Sequence, residues 1–582
     1  MVEKVAETIE RARTTLVFTN TRSQCEMWYQ RLLEIRPDWA GEMALHHGSL
    51  DRATRTWVEE AVKDSRLKCV ICTSSLDLGV DFSPVEQVLQ LGSPKGIARL
   101  LQRAGRSGHQ PGAQSKVVCV PTHAMEIVEF SAAQKALDEG HIEARTPPSK
   151  PLDVLSQHLI TLAVGGGFRK QEMFDEIRTA YSYRNLNMLE FDWVLDFITN
   201  GGRALSAYPE YCKVDEAEGF YTVENDTVRK RHRMSIGTIT SDDTMSVVFM
   251  SGERIGSMEE SYLARLRPGD KFIFAGRNLE LVRMRDMKAY VRIAPSKGGA
   301  FPRWMGSRMP LSSELSEAVR SELGDAARGK YVSVEMQLVK PLLKLQEQWS
   351  QIPQEDTILV EHFKSREGFH LFIYPFEGRL VHEGLAALLA YRMSLYAPAS
   401  FTMSINDYGF EMLSNIDIPI DMLSEHHLFN PENLAEDILS SMNASEMSRR
   451  QFREIARIAG LVFSGYPGKS KTGRQIQVSS GLLFDVFSEY DPENLLLHQA
   501  RKEVLELQLE ESRLRLAMQR LSRSEIISVE LERPSPMAMP LLVEHWRGKV
   551  SSETIAERVE KMQLALVRKS TPKKKTVSPK AS

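Results

Sequence analysis

Two arginines in the octapeptide QRAGRSGH, residues 102–109, are the side chains of this sequence best suited to chemistry. Arg103 and Arg106 stand three positions apart, and Gln102 precedes the first of them. A guanidinium is permanently charged, and its planar N–H groups match the oxygens of a phosphate. Such a pair is therefore chemically suited to bind a phosphate group. The alternative is that both arginines pair with acids at the surface.

A nucleotide triphosphate would need a cradle of the form G-x-x-x-x-G-K-[ST]. GYPGKS at 465–470 ends in this way, but Phe463 occupies the place of the first glycine and a predicted helix precedes it. DEGH at 138–141 has the letters of a DExH box, but it follows the amphipathic pattern FSAAQKAL, and Gly140 suits the position just past a helix end. Both segments are interpreted as structural turns. We expect no nucleotide-triphosphate site within the chain.

A parallel sheet is the element predicted to position the two arginines. Five apolar runs alternate with helical patterns between residues 14 and 140, namely TTLVFTN, EMALHH, LKCVICT, EQVLQLG and SKVVCVP. This alternation predicts a doubly wound α/β domain whose ligands collect at the carboxyl ends of its strands. Thr19 lies near the end of the first run and Arg22 follows it, while Thr73 ends the third run and opens the segment TSSLDLGVDF.

Four segments, TLVFTNTRSQCE, HHGSLDR, TSSLDLGVDF and QRAGRSGH, resemble the second RecA-like domain of a superfamily 2 helicase. The run from Thr73 to His109 is similar to the Lhr group, specifically to the ligase-associated DEXH-box helicases of bacteria. The same resemblance continues in RHRMSIGTI, GDKFIFAGRNLELV, PRWMGSRMPLSS, FHLFIYPFEGRLVHEG, RRQFREIARIAGLVFSGYPG and ERPSPMAMPLL. It covers nearly the whole chain. It also implies a first RecA-like domain, for which we expect no counterpart in this sequence.

The resemblance implies a role for each motif residue. Arg106 would be the arginine finger and Arg103 its companion, and both would neutralise charge on the phosphoryl group transferred from ATP. Gln102 would orient the cleft, while Gly79 and Asp81 would couple the nucleotide state to the loop that contacts the DNA strand. ATP and Mg²⁺ would be held mainly by the first RecA-like domain, in cis or in trans. The residues of this domain that would contact DNA are Thr19, Arg22 and Thr73.

A second set of DNA contacts is predicted from local charge. Residues 277–308 carry eight Lys or Arg and two acids, a net charge of +6, whereas the whole chain has a net charge of −3. Arg303, Trp304 and Arg308 stand there in the loop FPRWMGSRMP. Basic groups that follow phosphates, with an aromatic ring on which a base stacks, are typical of a single-strand track. The alternative is a solvated basic face with Trp304 in a core.

Five regions follow from the patterns and from the resemblance. They are a second RecA-like domain at 1–145, a winged helix at 146–231, a β-barrel-like domain at 232–345, a mixed α/β domain at 346–566 and a disordered basic tail at 567–582. The winged helix would either read a DNA groove or brace its neighbours, and both interpretations are kept. Candidate strands of the third region are MSIGTI, MSVVFM, DKFIFAG, LELVRM, AYVRIA and YVSVEMQLV.

The C-terminal region adds helices but no predicted metal site. QARKEVLELQLEESRLRLAMQRLSR, residues 499–523, has the pattern of one long amphipathic helix. His362, His370 and His382, with the adjacent Glu383, match no compact chelating motif. The basic tail has no acid after residue 567, which predicts disorder and weak, nonspecific affinity for DNA.

Composition bounds the class of protein. With 582 residues, of which 42% are hydrophobic, the chain can bury several cores. Five cysteines do not form a disulfide framework, and the C-x-x-C of Cys69 and Cys72 falls on a predicted strand, where the two thiols would point to opposite faces. We find no secretory signal and no run of 18 apolar residues. We therefore expect a cytoplasmic protein with no membrane partner.

The leading hypothesis is the C-terminal part of an ATP-driven DNA helicase that supplies an arginine finger and a single-strand track. The resemblance implies bacterial DNA repair, with a DNA ligase and a nuclease as partners. The alternatives are a DNA-binding protein without catalysis, or one half of a split helicase whose first motor domain is a separate chain.

Overall fold

The computed structural model of the protein describes most residues up to Arg547. The described residues are 1–77, 84–108, 112, 114–144, 147–235, 244–259, 263, 266–285, 288–294, 309–397, 399–417, 419–441, 444–463, 465–466, 469–471, 473–508 and 510–547. The mixed α/β, multidomain architecture predicted above is confirmed, since a parallel sheet is followed by several separate sheets with helices around them. The basic tail lies outside the described residues.

The N-terminal unit is built on a five-stranded parallel sheet. Its strands are β1 (Thr15–Phe18), β2 (Met43–His46), β3 (Cys69–Cys72), β4 (Gln87–Leu91) and β5 (Val117–Val120). They are arranged in the order β2-β3-β1-β4-β5, and every pair is parallel. The helices are α1 (Val2–Glu10), α2 (Arg22–Ile35), α3 (Arg52–Lys63), α4 (Ile97–Ala104) and α5 (Ala124–Asp138). The five runs predicted as strands all form strands.

Both faces of this sheet are covered. Helices α1 and α2 pack on one face and α3 on the other, because successive side chains of a strand alternate between faces. Cys69 lies in the first core and Cys72 in the second, as their spacing predicted. All five cysteines are unpaired thiols. Strands β1 to β4 are mostly apolar because they are buried along their whole length, whereas the edge strand β5 is partly exposed.

The region predicted as a winged helix follows, and its described residues run from 147 to 235. Its helices are α6 (Leu152–Gly165), α7 (Lys170–Ile177), α8 (Met188–Asn200), α9 (Gly202–Leu205) and α10 (Asp226–Ser235), and its strands are β6 (Phe168–Arg169), β7 (Asp215–Ala217) and β8 (Phe220–Thr222). β7 and β8 form the wing hairpin, and β6 pairs with β8. Its core also contains side chains from helices that come more than 200 residues later in the chain, for example that of Phe452. This shared core favours the packing role of the winged helix.

The basic region contributes to a third sheet. Its strands are β9 (Thr244–Phe249), β10 (Arg254–Glu259), β11 (Lys271–Phe274), β12 (Arg277–Arg285) and β13 (Lys288–Ile293). The order is β10-β9-β13-β12-β11, so β10 and β11 are the edge strands among the described residues. Closure of this sheet into a barrel therefore stays a prediction.

The segment YVSVEMQLV is a helix, which corrects its prediction as a strand. Helix α12 (Val334–Trp349) follows α11 (Ser313–Ala327). The side chain of Ser333 caps α12 by accepting from the Met336 N–H at 3.0 Å. Met336, Val339 and Leu343 are buried at helical spacing. The apolar residues at the start of the segment alternate as in a strand, and for this reason the helical spacing that follows was not recognised.

The C-terminal unit is a sheet between two helical layers. Its strands are β14 (Thr357–Lys364), β15 (Phe369–Tyr374), β16 (Thr402–Ile405), β17 (Phe410–Ser414) and β20 (Glu525–Leu531), in the order β16-β17-β15-β14-β20. Its helices are α13 (Arg379–Ser394), α14 (Met422–Glu425), α15 (Leu434–Ser441), α16 (Ala444–Ile458), α17 (Gly473–Tyr490), α18 (Leu495–Glu503), α19 (Glu511–Leu521) and α20 (Ala538–Arg547). One face packs on α13 and α19, and the other packs on α11, α12 and α20. The second core also contains α4 and α5 of the N-terminal unit.

The long helix predicted at 499–523 is broken, which is a second correction. A π-helical turn (Val504–Gln508) follows α18, and Glu510 has a positive φ of 46° before α19 begins. Arg513 pairs with Glu510 at 2.6 Å and also donates to the carbonyls of Leu311 and Glu377 at 3.0 and 2.7 Å. These tertiary contacts redirect the chain, and a local sequence pattern does not report them.

The two segments that imitate nucleotide motifs lie in a two-stranded sheet and at a helix end. GYPGKS contains the hairpin strands β18 (Gly465–Tyr466) and β19 (Lys469–Ser470), and α16 precedes it. In DEGH, α5 ends at Asp138 and Gly140 has a φ of 75°. Among the described residues, no helix is both long enough and apolar enough to cross a membrane.

Candidate functional site

Arg103 lies inside the molecule, with 1% of its surface exposed. It lies on the same face of α4 as Leu100, three residues earlier, which is also buried. Its Nε donates to Asp77 Oδ1 at 2.9 Å, and its Nη1 donates to Gln90 Oε1 at 2.5 Å. The guanidinium carbon lies 4.8 Å from the centroid of the Phe18 ring. Arg103 is thus committed to partners within its own domain.

Arg106 has a different environment. It follows the end of α4 and is partly exposed, and the neighbouring Gln102 is exposed. The Arg106 Nε donates to the Gln102 carbonyl at 3.4 Å. The structure therefore brings one of the two motif guanidiniums to the surface and buries the other. The contacts of both arginines with phosphate stay predictions.

Ser107 and Gly108 fix the end of the motif against the segment before β5. The Ser107 hydroxyl donates to the Ala104 carbonyl and accepts from the Lys116 N–H, both at 3.0 Å. Gly108 has a φ of 74°, and a Cβ at this position would lie 2.7 Å from the backbone of Gln114. Glycine is therefore required here for its backbone freedom and for its lack of a side chain.

Asp77 is a site residue that the sequence patterns did not single out. Besides its contacts with Arg103, its carboxylate lies 3.7 Å from Arg99 Nε. Asp77 is the last described residue before Gly79 and Asp81, which lie outside the described residues. A buried ion pair thus joins α4 to the start of the segment predicted to couple nucleotide and strand. The available signal was an acid five residues after the end of β3.

The three predicted DNA contacts of this unit lie near the carboxyl ends of its strands. The Thr19 N–H donates to the Cys72 carbonyl at 2.8 Å, which brings Thr19 beside Thr73 on the neighbouring strand. Both threonines are buried, and the Thr19 hydroxyl already donates to backbone carbonyls. Arg22 is partly exposed and donates to Ser49 Oγ at 2.8 Å. Their contacts with DNA stay predictions.

The described part of the basic region lies on β12 and β13. The Arg283 guanidinium is 4.7 Å from the centroid of the Tyr290 ring. Arg292 pairs with Glu280 at 2.6 Å, and this hydrogen bond holds the pKa of the Glu280 carboxyl below its ordinary value. Some of the predicted positive charge is therefore neutralised on the sheet itself. The predicted contacts outside the described residues are Arg303, Trp304 and Arg308.

The sheet of β9 to β13 is called the basic sheet below. Glu26 attaches this sheet to the N-terminal unit, a contact that sequence reasoning missed. Its buried carboxylate accepts from the backbone N–H groups of Ala275 and Gly276 at 2.6 and 2.8 Å. The His47 Nε2 lies 3.2 Å from the same carboxylate, and the His47 ring packs near Phe274. The second histidine of HHGSLDR thus serves the contact between the two units.

A cavity of about 500 Å³ lies between the winged helix and α16–α17. Lys213, Arg231 and Lys471 are among the residues that line it. Lys213 donates to the carbonyls of Ala459 and Gly460 at 3.0 and 2.9 Å, just past the end of α16, and burial lowers its pKa to about 8. Lys213 therefore acts as a cap for the negative end of this helix.

The histidines of the C-terminal unit serve packing. The His382 Nε2 accepts from the Glu377 N–H at 3.0 Å, and burial lowers the pKa of His382 to about 4. His370 bonds Glu411, and His362 lies 3.1 Å from Asp417. Across the described ranges, no three His, Cys, Asp or Glu side chains are grouped to hold a metal ion.

Comparison with known proteins gives matches along most of the chain. The family described as "Helicase conserved C-terminal domain" matches residues 1–110. "Large helicase-related protein, winged helix domain" matches 135–301, and "DEAD/H associated" matches 352–538.

Similar curated proteins are named as helicases. The ATP-dependent helicase Lhr-Core protein 2 of Thermococcus barophilus is 30% identical over 564 residues, which are 93% of this chain and 65% of that protein. The ATP-dependent helicase Lhr-Core of Methanocaldococcus jannaschii is 28% identical over 573 residues, 96% of this chain and 66% of that protein. The chain thus spans slightly less than two thirds of the length of these relatives.

A solved structure is similar in fold over the same extent. It is that of Mycobacterium smegmatis helicase Lhr bound to ssDNA and AMP-PNP, with a TM-score of 0.71 and 24% identity. The match covers 93% of this chain and 68% of that chain.

Proposed function

The chain belongs to the Lhr family of superfamily 2 helicases, and on this premise we propose that it forms the C-terminal part of an ATP-dependent DNA helicase or translocase. Residues 1–145 would be its second RecA-like domain. ATP and Mg²⁺ would bind mainly to a first RecA-like domain, in cis or in trans. Single-stranded DNA would pass along the strand ends of residues 1–145 and along the basic sheet.

The observation that carries this proposal is the contrast between the two motif arginines. Arg106 reaches the surface beside Gln102, where an opposing domain could present a phosphate. Arg103 would act from within, because its ion pair with Asp77 fixes α4 against the residues that follow β3. In this proposal Arg106 is the finger, and Arg103 holds the helix from which the finger extends.

The DNA path is proposed from the strand-end residues and from local charge. Thr19, Arg22 and Thr73 would contact the strand on the first unit. Basic side chains on β12 and β13 would follow the phosphates, and Arg303, Trp304 and Arg308 would extend that track, with the Trp304 ring stacked on a base. A role in bacterial DNA repair beside a DNA ligase and a nuclease is the finer part of the proposal.

An experiment on ATP turnover distinguishes the proposed helicase from a DNA-binding protein that does not hydrolyse ATP. ATP turnover is measured for residues 1–582 alone and after the first motor domain of an Lhr-Core relative has been fused before Met1. The proposal expects negligible turnover alone and DNA-stimulated turnover in the fused protein. Substantial turnover by the chain alone would overturn the assignment of ATP to another domain. DNA binding without turnover in the fused protein would favour a DNA-binding protein that does not hydrolyse ATP.

A further inference from the structure

Helix α4, which leads into Arg106, is held at its start by residues from the C-terminal half of the chain. The Ser312 N–H donates to the Lys95 carbonyl at 3.0 Å, one residue before the helix N-cap Gly96. The Lys95 Nζ pairs with Asp407 Oδ2 at 2.6 Å, with both side chains mostly buried. Two distant segments, one before α11 and one between β16 and β17, therefore meet on a single short loop of the first unit.

The carboxylate of Asp407 connects three segments. While Oδ2 faces Lys95, Oδ1 accepts from the N–H groups of Leu311 and Arg379 at 3.2 and 3.1 Å. Burial would raise the pKa of Asp407, but the Lys95 charge and these hydrogen bonds outweigh it and the pKa is lowered. Asp407 is therefore ionised at neutral pH. The adjacent Tyr408 extends the contact through its hydroxyl, which donates to Glu129 on α5 at 2.5 Å.

A second carboxylate completes the start of α4. The two oxygens of Glu143 accept from the N–H groups of Ile97 and Ala98 at 2.5 and 2.6 Å, and Ser312 Oγ donates to Glu143 at 2.7 Å. These N–H groups have no acceptor within the helix, and the negative charge suits the helix N-terminus. A Cβ at Gly96 would lie 2.8 Å from the Glu143 carboxylate, so a side chain at that position would displace this carboxylate.

We propose that Asp407 is a positioning residue for the motif arginines, acting through Lys95 on the start of α4. Because α4 has only eight residues, a change in the direction of its first turn moves the end that precedes Arg106. The C-terminal unit thereby sets the direction from which Arg106 approaches a phosphate. The effect on catalysis rests on the proposed function, whereas the mechanical link from Asp407 through Lys95 to the start of α4 does not.

The test is amide hydrogen exchange on the full chain, comparing Asp407→Asn with a matched control. Asp325→Asn is that control, since Asp325 pairs with Lys135 at 3.3 Å across the same boundary without touching the loop before α4. We expect Asp407→Asn to speed exchange in the first turn of α4 about tenfold, because a charged hydrogen bond is lost, while α3 is unchanged. Asp325→Asn should leave α4 unchanged.

Unchanged exchange in α4 for Asp407→Asn, or equal acceleration by the control, would overturn the proposal. If Asp407→Asn does not fold, Lys95→Met removes the same ion pair and must give the same local acceleration. In the fused protein, Asp407→Asn should lower kcat for ATP and leave KM and DNA affinity unchanged, and a full kcat despite a loosened α4 would also overturn the positioning role. If no fused protein hydrolyses ATP, the proposed function fails while the exchange result decides the mechanical link separately.

Discussion

At the scale of single residues, two arginines of one motif differ in what their removal should cost. Arg103 is buried against Asp77 and Gln90, whereas Arg106 reaches the surface beside Gln102. The motif letters treat the two arginines alike, and only the environment separates them. A sequence places a guanidinium at a position, but burial decides whether it is available to a ligand.

Arg103→Ala should therefore destabilise the chain more than Arg106→Ala. Removing Arg103 leaves the carboxylate of Asp77 buried without its main partner, which costs about 3–5 kcal/mol for a buried pair. Arg106→Ala should change the free energy of unfolding by less than about 0.5 kcal/mol, as is usual for a surface position. Urea unfolding of both variants checks this expectation. Equal destabilisation would mean that Arg106 is also a structural residue.

Glu129 should make stability depend on pH. Burial raises the pKa of its carboxyl from 4.5 to about 7, despite the nearby Lys95 and the hydroxyl of Tyr408. The proton of Glu129 is thus held more tightly in the folded state. The contribution of this proton to the free energy of unfolding is complete below pH 4.5 and is lost as the pH rises through 7. Asp407 also faces Glu129 and adds to the effect. Glu129→Gln should be stabilising at pH 8, by up to about 3 kcal/mol, and nearly neutral at pH 5.

The measurement is the urea midpoint of Glu129→Gln and of the wild-type chain at both pH values. Glu34→Gln, at an exposed position of α2, controls for the loss of one negative charge. An advantage of Glu129→Gln that is the same at pH 5 and pH 8 would show that Glu129 does not change its protonation in this range.

At the scale of elements, the two glycines of the motif offer a matched comparison. Gly105 has a φ of −65°, and an added Cβ would come no closer than 3.4 Å to its neighbours. Gly108 has a φ of 74°, and an added Cβ would lie 2.7 Å from the backbone of Gln114. Gly108→Ala should therefore lower the melting temperature by several degrees more than Gly105→Ala, because it combines strain with overlap. Similar melting temperatures would contradict the described turn.

The strands of the first unit could be predicted because each is a short apolar run, and all of them except β5 are buried along their whole length. The break before α19 could not, because Glu510 takes its conformation in a segment that Arg513 anchors to carbonyls far away in the sequence. The same limit explains why Asp77 was missed. Its importance lies in its contact with Arg103, which a list of motif letters does not contain.

At the scale of the whole molecule, the units share cores that the sequence order conceals. Helices α4 and α5 pack in one core with α11, α12 and the C-terminal sheet, and the winged helix shares another with α16 and α18. A buried face leaves a periodic pattern in each segment, but this pattern does not identify the distant segment that packs against it. The consequence is that the first unit is not packed separately from the C-terminal half, and we expect a movement of one to be transmitted to the other.

ATP turnover of Arg106→Ala in the fused protein tests the proposed role of this chain most directly. An arginine finger contributes roughly a thousand- to a hundred-thousand-fold to the rate, so turnover should fall by a factor in that range. Single-stranded DNA affinity and the urea midpoint of the same variant should stay unchanged. Turnover within a few fold of the unsubstituted fused protein, or a loss of DNA affinity in place of turnover, would contradict the assignment of Arg106 as the finger.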